Sequence, residues 1–317
     1  MGKYLIKRIL LLIPTLFIVC LTVFAMMRIV PGSAVDVIVA QMNSSGGAVD
    51  EAAVEAMLGL DKPFLEQFFT WIWNLLHGDM GNSFFQTGTV ASILARELPV
   101  TLELTILTLI LSNLISIPLG VFCATHIDTV SDNVVRIIAV LLMSVPVFWI
   151  ATLTLVYPAI WFGYAPPTQY VSLFENPAQN LQMFLPPAIL GAITTAGGQL
   201  RNVRSLILEI LGQDYIRTAW AKGNRERRVL YLHAFRNTMI PVITMIGGSI
   251  GALMGGSVVL ENMFNIPGIG RQLVVALNNR DYLLVQGCVL ATAIVTMVIN
   301  LIVDIAYKWV DPRVQIE

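Results

Sequence analysis

Gly247, Ser249 and Gly251 stand at the spacing Gly-x-Ser-x-Gly, the arrangement that presents a serine hydroxyl as the nucleophile of an acyl transfer. That chemistry needs a sharp strand-to-helix turn under the serine and a histidine to take its proton. Here the motif falls inside a long apolar stretch that reads as a membrane helix. None of the three histidines, His77, His126 and His233, falls in such a stretch. We read the match as chance. The histidines are also too scattered to form a metal cluster, and no His-Glu-x-x-His occurs. Cys20, Cys123 and Cys288 each lie in or at the end of an apolar block, which argues against a disulfide framework and a thiolate metal site. No Gly-x-x-x-x-Gly-Lys-Ser/Thr is present, so no loop is expected to cradle nucleotide phosphates.

The elements around these residues follow from composition. Only 12% of the 317 residues are charged and 56% are hydrophobic, against roughly 25% charged in soluble domains. With a mean hydropathy of +0.75, the chain is too apolar for a water-facing surface. The apolar residues fall in blocks near the roughly 20 residues that a spanning helix needs. The blocks predict an all-α integral membrane protein with six transmembrane helices, at about 9–30, 100–124, 134–162, 184–204, 238–260 and 284–308. Pro14, Pro118, Pro146 and Pro158 lie within them and are expected as kinks that neighbouring helices tolerate. The first block is too long for a signal-peptide core and is followed by no clear cleavage site, so it reads as an uncleaved span.

Charge placement orients the spans. With the N- and C-termini cytoplasmic, the inside segments hold 14 of the 19 basic residues, eight of them in 201–237. The opposite orientation would put that cluster outside, against the positive-inside rule. A long loop, 31–98, is then expected outside. Within it Phe64, Leu65, Phe68, Phe69, Ile72, Trp73, Leu75 and Leu76 form an apolar stripe near helical spacing. Two readings stand: a short helix lying on the outer surface, or one packed against the ends of the spans.

Polar and small residues at membrane depth are the next candidates. The fourth span carries Thr194, Thr195, Gly197, Gly198 and Gln199, which either line a substrate path or pack against another span. Glu103 sits near the start of the second span, where a first-turn carboxylate is favoured by the helix dipole; contact with a cationic substrate group is the alternative. Asp304 is expected to pair or reach water, and Asn113 and Asn300 to bond between helices. Gly247, Gly251 and Gly255 recur at four-residue spacing and predict a close helix-packing face, within this subunit or against a partner.

The inside segment 205–237 is the most informative. It favours a helix through Asp214, Tyr215, Arg217, Thr218, Ala219, Ala221 and Lys222, with Gly223 as its stop. A second helix leads into the fifth span. Such an element suits the groove of a soluble partner; an ordinary basic cytoplasmic loop is the plainer reading.

This segment resembles the EAA loop of binding-protein-dependent ABC importer permeases, in the form of the dipeptide, oligopeptide and nickel branch. The motif's Glu stands as Arg217, its two Ala as Thr218 and Ala219, and its Gly as Gly223; His233-Ala234-Phe235-Arg236-Asn237 replaces the usual Ile-x-Leu-Pro. The departures match that branch. Further segments are similar in order and spacing: Ile13-Pro14-Thr15 and Val30-Pro31-Gly32, Leu58 to Pro63, His77 to Gly81, Leu98 to Leu104, Glu261 to Gly270, Asn279 to Tyr282, and Asp311-Pro312-Arg313.

The resemblance implies a type I ABC importer permease fold in a prokaryotic cytoplasmic membrane, and a non-catalytic subunit. It implies as partners a second homologous permease chain forming a heterodimer, two ABC ATPases that carry the ATP and magnesium, and an extracytoplasmic solute-binding protein. Membrane lipid surrounds the chain, no cofactor is bound by it, and no nucleic acid is involved. The implied cargo is a di- or oligopeptide, with nickel or another metal chelate as the alternative. A secondary transporter is the competing class, but inverted repeats and ionisable groups deep in the spans are not evident.

Overall fold

The computed structural model describes residues 2–29, 34–44 and 50–310. The expected span exit at Val30-Pro31-Gly32 and the terminal Asp311-Pro312-Arg313 lie outside the described residues. Among those described, the regular elements are helices, with one isolated bridge between Asn82 and Thr89. In chain order they are α1 (Gly2–Ile29), α2 (Ala34–Ser44), α3 (Glu51–Leu58), α4 (Phe64–Leu76), α5 (Val90–Thr125), α6 (Val130–Ser144) and α7 (Val147–Phe162). There follow α8 (Pro177–Leu211), α9 (Asp214–Ala221), α10 (Glu226–Arg228), a π-helical turn (Val229–Phe235), α11 (Arg236–Met263), α12 (Ile269–Asn279) and α13 (Tyr282–Val310).

Four helical stretches among the described residues are long and apolar enough to cross a membrane: Leu10–Ile29, Val90–Thr125, Pro241–Met263 and Tyr282–Ile305. A fifth exists if α6 and α7 count as one. The chain is thus a multi-pass membrane protein. The expected third span departs from a continuous helix, because α6 and α7 meet at an 88° bend. The cause is Pro146. It holds Val145 extended (φ −83°, ψ 128°) and itself starts α7, as the steric conflict before a proline requires. The expected fourth span lies inside α8, where Thr194, Thr195, Gln199, Arg201 and Arg204 lower the apolarity.

The chain divides into two compact units, Met1–Val100 with Pro267–Met297, and Thr101–Ile266 with Val298–Glu317. In the first, Met27, Val90, Ile93, Leu94, Ile269, Leu284 and Cys288 form one core. A second joins Cys20, Val23 and Phe24 of α1 to Phe68 and Trp71 of α4. Phe24 stacks on Trp71 with ring centres 5.7 Å apart. The helix expected near 64–76 therefore packs through one face, while Leu65, Phe69, Trp73 and Leu76 remain exposed on the other. Asp281 ties this unit's loops, accepting from Ser83 Oγ, from the Phe84 amide at 3.2 Å and from the Leu284 amide at 3.3 Å.

In the second unit α8 is central, with α6, α7 and α11 packed on it. The close approach needs glycine: a Cβ at Gly197 would stand 2.8 Å from the Ala139 carbonyl oxygen, and one at Gly120 would stand 2.7 Å from Val203. Val121, Ala124, Val203, Ile207, Leu230 and Val242 fill the core below.

Candidate functional site

Helix α9 begins after an extended Gln213, with Asp214 in its first turn facing the positive helix end. It stops at Gly223, whose φ of +74° suits glycine and strains other residues. Its closing bonds run from the Lys222 amide to the Thr218 carbonyl at 3.1 Å and from the Gly223 amide to the Trp220 carbonyl at 2.9 Å. The Asn224 side chain adds a third, to the Ala219 carbonyl at 2.9 Å. Ile216 and Ala219 pack inward on Val229 and Ala234, with Ile210 and Leu211 at the edge of the cluster.

Ala219 is therefore 7% exposed and packs inward, so among the residues of the element expected to suit a partner's groove it lies on the covered face. Position i+3 from Ile216 lies on the same helical face, and that face is covered by the π-helical turn and the end of α8. The side chains offered to solvent are Asp214, Tyr215, Arg217, Thr218, Trp220, Ala221 and Lys222. The Asp214–Arg217 pair at 3.5 Å is exposed and contributes little.

A cavity of about 170 Å³ opens among α5, α8 and α11, touched by Val147 at the start of α7. Thr105, Thr108, Thr194, Thr195, Ser249 and Ser257 give it hydroxyls, and Leu104, Leu253 and Leu260 give it apolar wall. No charged side chain is among the described residues that line it. Thr194 donates back to the Leu190 and Gly191 carbonyls, and Thr195 to Gly191 at 2.7 Å. The Thr105 hydroxyl is buried and has no hydrogen-bond partner, so it is the polar group most in need of one.

The other expected path residues stand elsewhere. Gln199 is 4% exposed; its oxygen accepts from Ser116 at 3.1 Å and its nitrogen donates to Ser249 at 3.3 Å. It ties α5, α8 and α11 together. Glu103 accepts from Asn180 Nδ2 at 2.7 Å and from the Tyr170 hydroxyl at 3.1 Å. Its expected first-turn position is corrected: α5 starts at Val90, after Thr89 bonds the Ser92 amide, so Glu103 sits more than three turns in. Burial, and then the Glu103 carboxylate, push the Tyr170 phenol up to about 12. Ser249 lies inside α11 and donates to the Ile246 carbonyl at 2.7 Å, so no nucleophile elbow forms. Of the glycine series, Gly247 packs closely, since a Cβ there would meet Val303 at 2.5 Å; a Cβ at Gly255 would meet nothing within 4 Å.

Two features escaped the sequence reading. Thr101, Thr105, Thr108, Ser112 and Ser116 recur every three or four residues and are all buried, so a hydroxyl stripe along α5 was present in the spacing. Glu261 is 0% exposed and accepts from both Thr101 and Ser257 at 2.9 Å, behind the cavity wall.

Two family descriptions match the chain. Residues 116–316 match "Binding-protein-dependent transport system inner membrane component", and residues 1–105 match the N-terminal portion of such membrane components. A putative peptide transport system permease protein of Brucella abortus is 38% identical over 315 residues, 99% of each chain. The dipeptide transport system permease protein of Escherichia coli K12 is 34% identical over 339 aligned positions, again 99% of each. The oligopeptide transport system permease protein AppB of Bacillus subtilis is 34% identical over 318, covering 99% of this chain and all of that one. The chain belongs to the family of inner-membrane components of binding-protein-dependent transport systems.

Proposed function

We propose that this chain is a permease subunit of an ATP-driven peptide importer and forms half of the path for di- or oligopeptides. The observation that carries the reading is the hydroxyl-lined cavity among α5, α8 and α11, with no charged side chain among the described residues of its wall. Hydroxyls and small residues satisfy the polar backbone of a passing peptide, and the absence of fixed charge admits side chains of either sign. The full-length relatives, named for peptide, dipeptide and oligopeptide transport, support the same cargo.

In this reading the chain crosses a prokaryotic cytoplasmic membrane six times, with the bent α6–α7 pair as one crossing and α8 as the other beyond the four single apolar helices. Both termini are cytoplasmic. The exposed face of α9, with Asp214, Tyr215, Arg217, Thr218, Ala221 and Lys222, docks in one of two ATPase subunits, and Gly223 ends that helix. A binding protein delivers the solute from outside, and a second, similar permease completes the path. This chain supplies no nucleotide site; ATP and magnesium sit on the ATPases.

Reconstitution tests the reading. Proteoliposomes with the permease pair, the ATPases and the binding protein should accumulate labelled di- or oligopeptides when ATP is supplied, and not a nickel chelate. Uptake by this chain alone on an ion gradient would replace the reading with a secondary transporter. For topology, single cysteines at Asp79 and Arg225, both exposed, are placed in a variant lacking the native three. An impermeant reagent should label only Asp79→Cys from outside intact cells.

A further inference from the structure

A second cavity, of about 270 Å³, lies in the first unit and has no part in the reading above. Its wall includes Arg28, Lys62, Trp71, Phe84, Tyr282 and Gln286. Arg28 is half-buried, and its bonds go to neutral acceptors. Nε donates to Gln67 Oε1 at 3.1 Å, Nη2 donates to the same oxygen, and Nη1 donates to the Phe24 carbonyl at 3.3 Å. The guanidinium carbon lies 3.6 Å from the centre of the Phe24 ring and 5.9 Å from that of Tyr282. None of these contacts is an anion, and a guanidinium taken from water costs free energy until one meets it.

The arrangement is built from behind. Gln67 is held by two bonds from its nitrogen, to the Lys62 carbonyl at 2.7 Å and the Leu60 carbonyl at 3.2 Å, so its oxygen is fixed beneath Arg28. Lys62 adds a second positive charge to the wall. Its contact with Glu66 at 2.9 Å is an exposed ion pair, which is weak enough to yield to a stronger anion. Gln286 supplies the complementary need: it is 1% exposed, and its side-chain oxygen has no hydrogen-bond partner. A buried amide oxygen without a donor is destabilising.

We propose that this cavity binds an oxyanion that carries an adjacent hydrogen-bond donor. The anionic oxygens sit on the Arg28 guanidinium, within reach of Lys62, and the donor meets Gln286 Oε1 between the aromatic faces of Trp71 and Phe84. A phosphodiester with a hydroxyl-bearing headgroup has both parts, and it comes from an anionic phospholipid or as a soluble glycerophospho-alcohol. Phosphatidylcholine has the phosphodiester but no donor, so it binds more weakly.

The test uses the full-length chain, purified in detergent and stripped of lipid, with binding read by tryptophan fluorescence. Phosphatidylglycerol in mixed micelles should saturate it. Arg28→Gln and Gln286→Leu should each weaken that binding by about tenfold or more, the loss of a charge-assisted or buried hydrogen bond. Gln286→Leu should also raise the melting temperature of the ligand-free chain, because it removes an unpaired polar atom; a merely structural glutamine would lower it. If Arg28→Gln does not fold, Arg28→Lys, which keeps the charge and loses the fork, replaces it with the same direction expected. Glycerophosphoglycerol binding as well as the lipid assigns the site to a soluble ligand, and binding by the lipid alone assigns it to the membrane. Saturation by neither, or variants that bind phosphatidylglycerol as the parent does, overturns the proposal.

Discussion

Arg204 clamps Asp132 with two parallel hydrogen bonds, Nε to Oδ1 at 3.1 Å and Nη2 to Oδ2 at 2.8 Å, and Asp132 is wholly buried. Arg136 stands 3.7 Å away on the next turn of the same helix, and the Asp128 amide donates to Oδ2 at 3.2 Å. The clamp fastens the start of α6 to the C-terminal half of α8, at the last residue of the expected fourth span. Forked geometry and full burial make it stronger than the exposed pairs elsewhere in the chain.

Asp132→Asn strands the mostly buried Arg204, at a cost of up to about 3–5 kcal/mol, and Arg204→Leu costs less, because Arg136 and the Asp128 amide still face Asp132. Asp132→Asn and Arg204→Leu should each lower the melting temperature and the amount of chain recovered from the membrane. The pair Asp132→Leu with Arg204→Met should be less damaging than the sum of the two, since no charge is stranded. A double variant as unstable as that sum would mean that the two side chains act independently.

The two faces of α9 separate a structural role from the proposed docking role. Ala219→Glu places a charge among Ile216, Val229 and Ala234, so it should destabilise the chain itself. Gly223→Pro cannot reach a φ of +74° and should also unseat the helix. Arg217→Glu and Thr218→Trp, on the exposed face, should leave the stability within about 0.5 kcal/mol of the parent's. They should reduce ATPase co-purification and uptake together. Undiminished uptake from both exposed-face variants would remove α9 as the docking element.

The end of this helix was legible because its signals are local: good helix formers, then a glycine, in a basic loop. The inward turn of Ala219 was not, since it depends on the π-helical turn that covers that face. Pro146 was visible as a proline within an apolar block; whether it kinks or breaks the block depends on neighbours that no local pattern names. Glu103 was misplaced because α5 begins ten residues before the apolar run, at a threonine cap. The Asp132–Arg204 clamp joins residues 72 apart, and charge counting treats both as ordinary interfacial charges. The hydroxyl stripe of α5 is the opposite case: its period was in the sequence, but threonine and serine do not interrupt an apolar block strongly enough to stand out.

The Tyr170 phenol should resist ionisation. It is raised to about 12 by burial and then by Glu103, against about 10 for a free tyrosine. The folded chain therefore holds this proton more tightly than the unfolded chain. The stabilisation is complete below about pH 10 and is lost as the pH rises through the folded value. Phenolate absorbance of the parent minus Tyr170→Phe should show one group titrating near 12. A difference centred near 10 would place Tyr170 in water, away from Glu103.

The cavity makes the sharpest demand, because its glycines differ. A Cβ at Gly191 would stand 2.9 Å from Thr108 and 3.1 Å from Leu260, whereas one at Gly256, also on the wall, would meet nothing within 4 Å. Gly256→Ala should fold well and gain about 0.5–1 kcal/mol from helix propensity. Gly256→Leu should place its side chain in the cavity and slow peptide uptake, with ATPase co-purification unchanged. Thr194→Val removes a wall hydroxyl and should alter the uptake rate and not solute capture by the binding protein. Gln199→Leu should act differently, lowering stability by breaking the bonds to Ser116 and Ser249. Thr105→Lys would add a cation to a wall whose described residues carry none, and should discriminate against lysine-rich peptides relative to neutral ones. If Gly256→Leu and Thr105→Lys both transport all peptides at the parental rate, the cavity is a packing defect and the solute passes elsewhere.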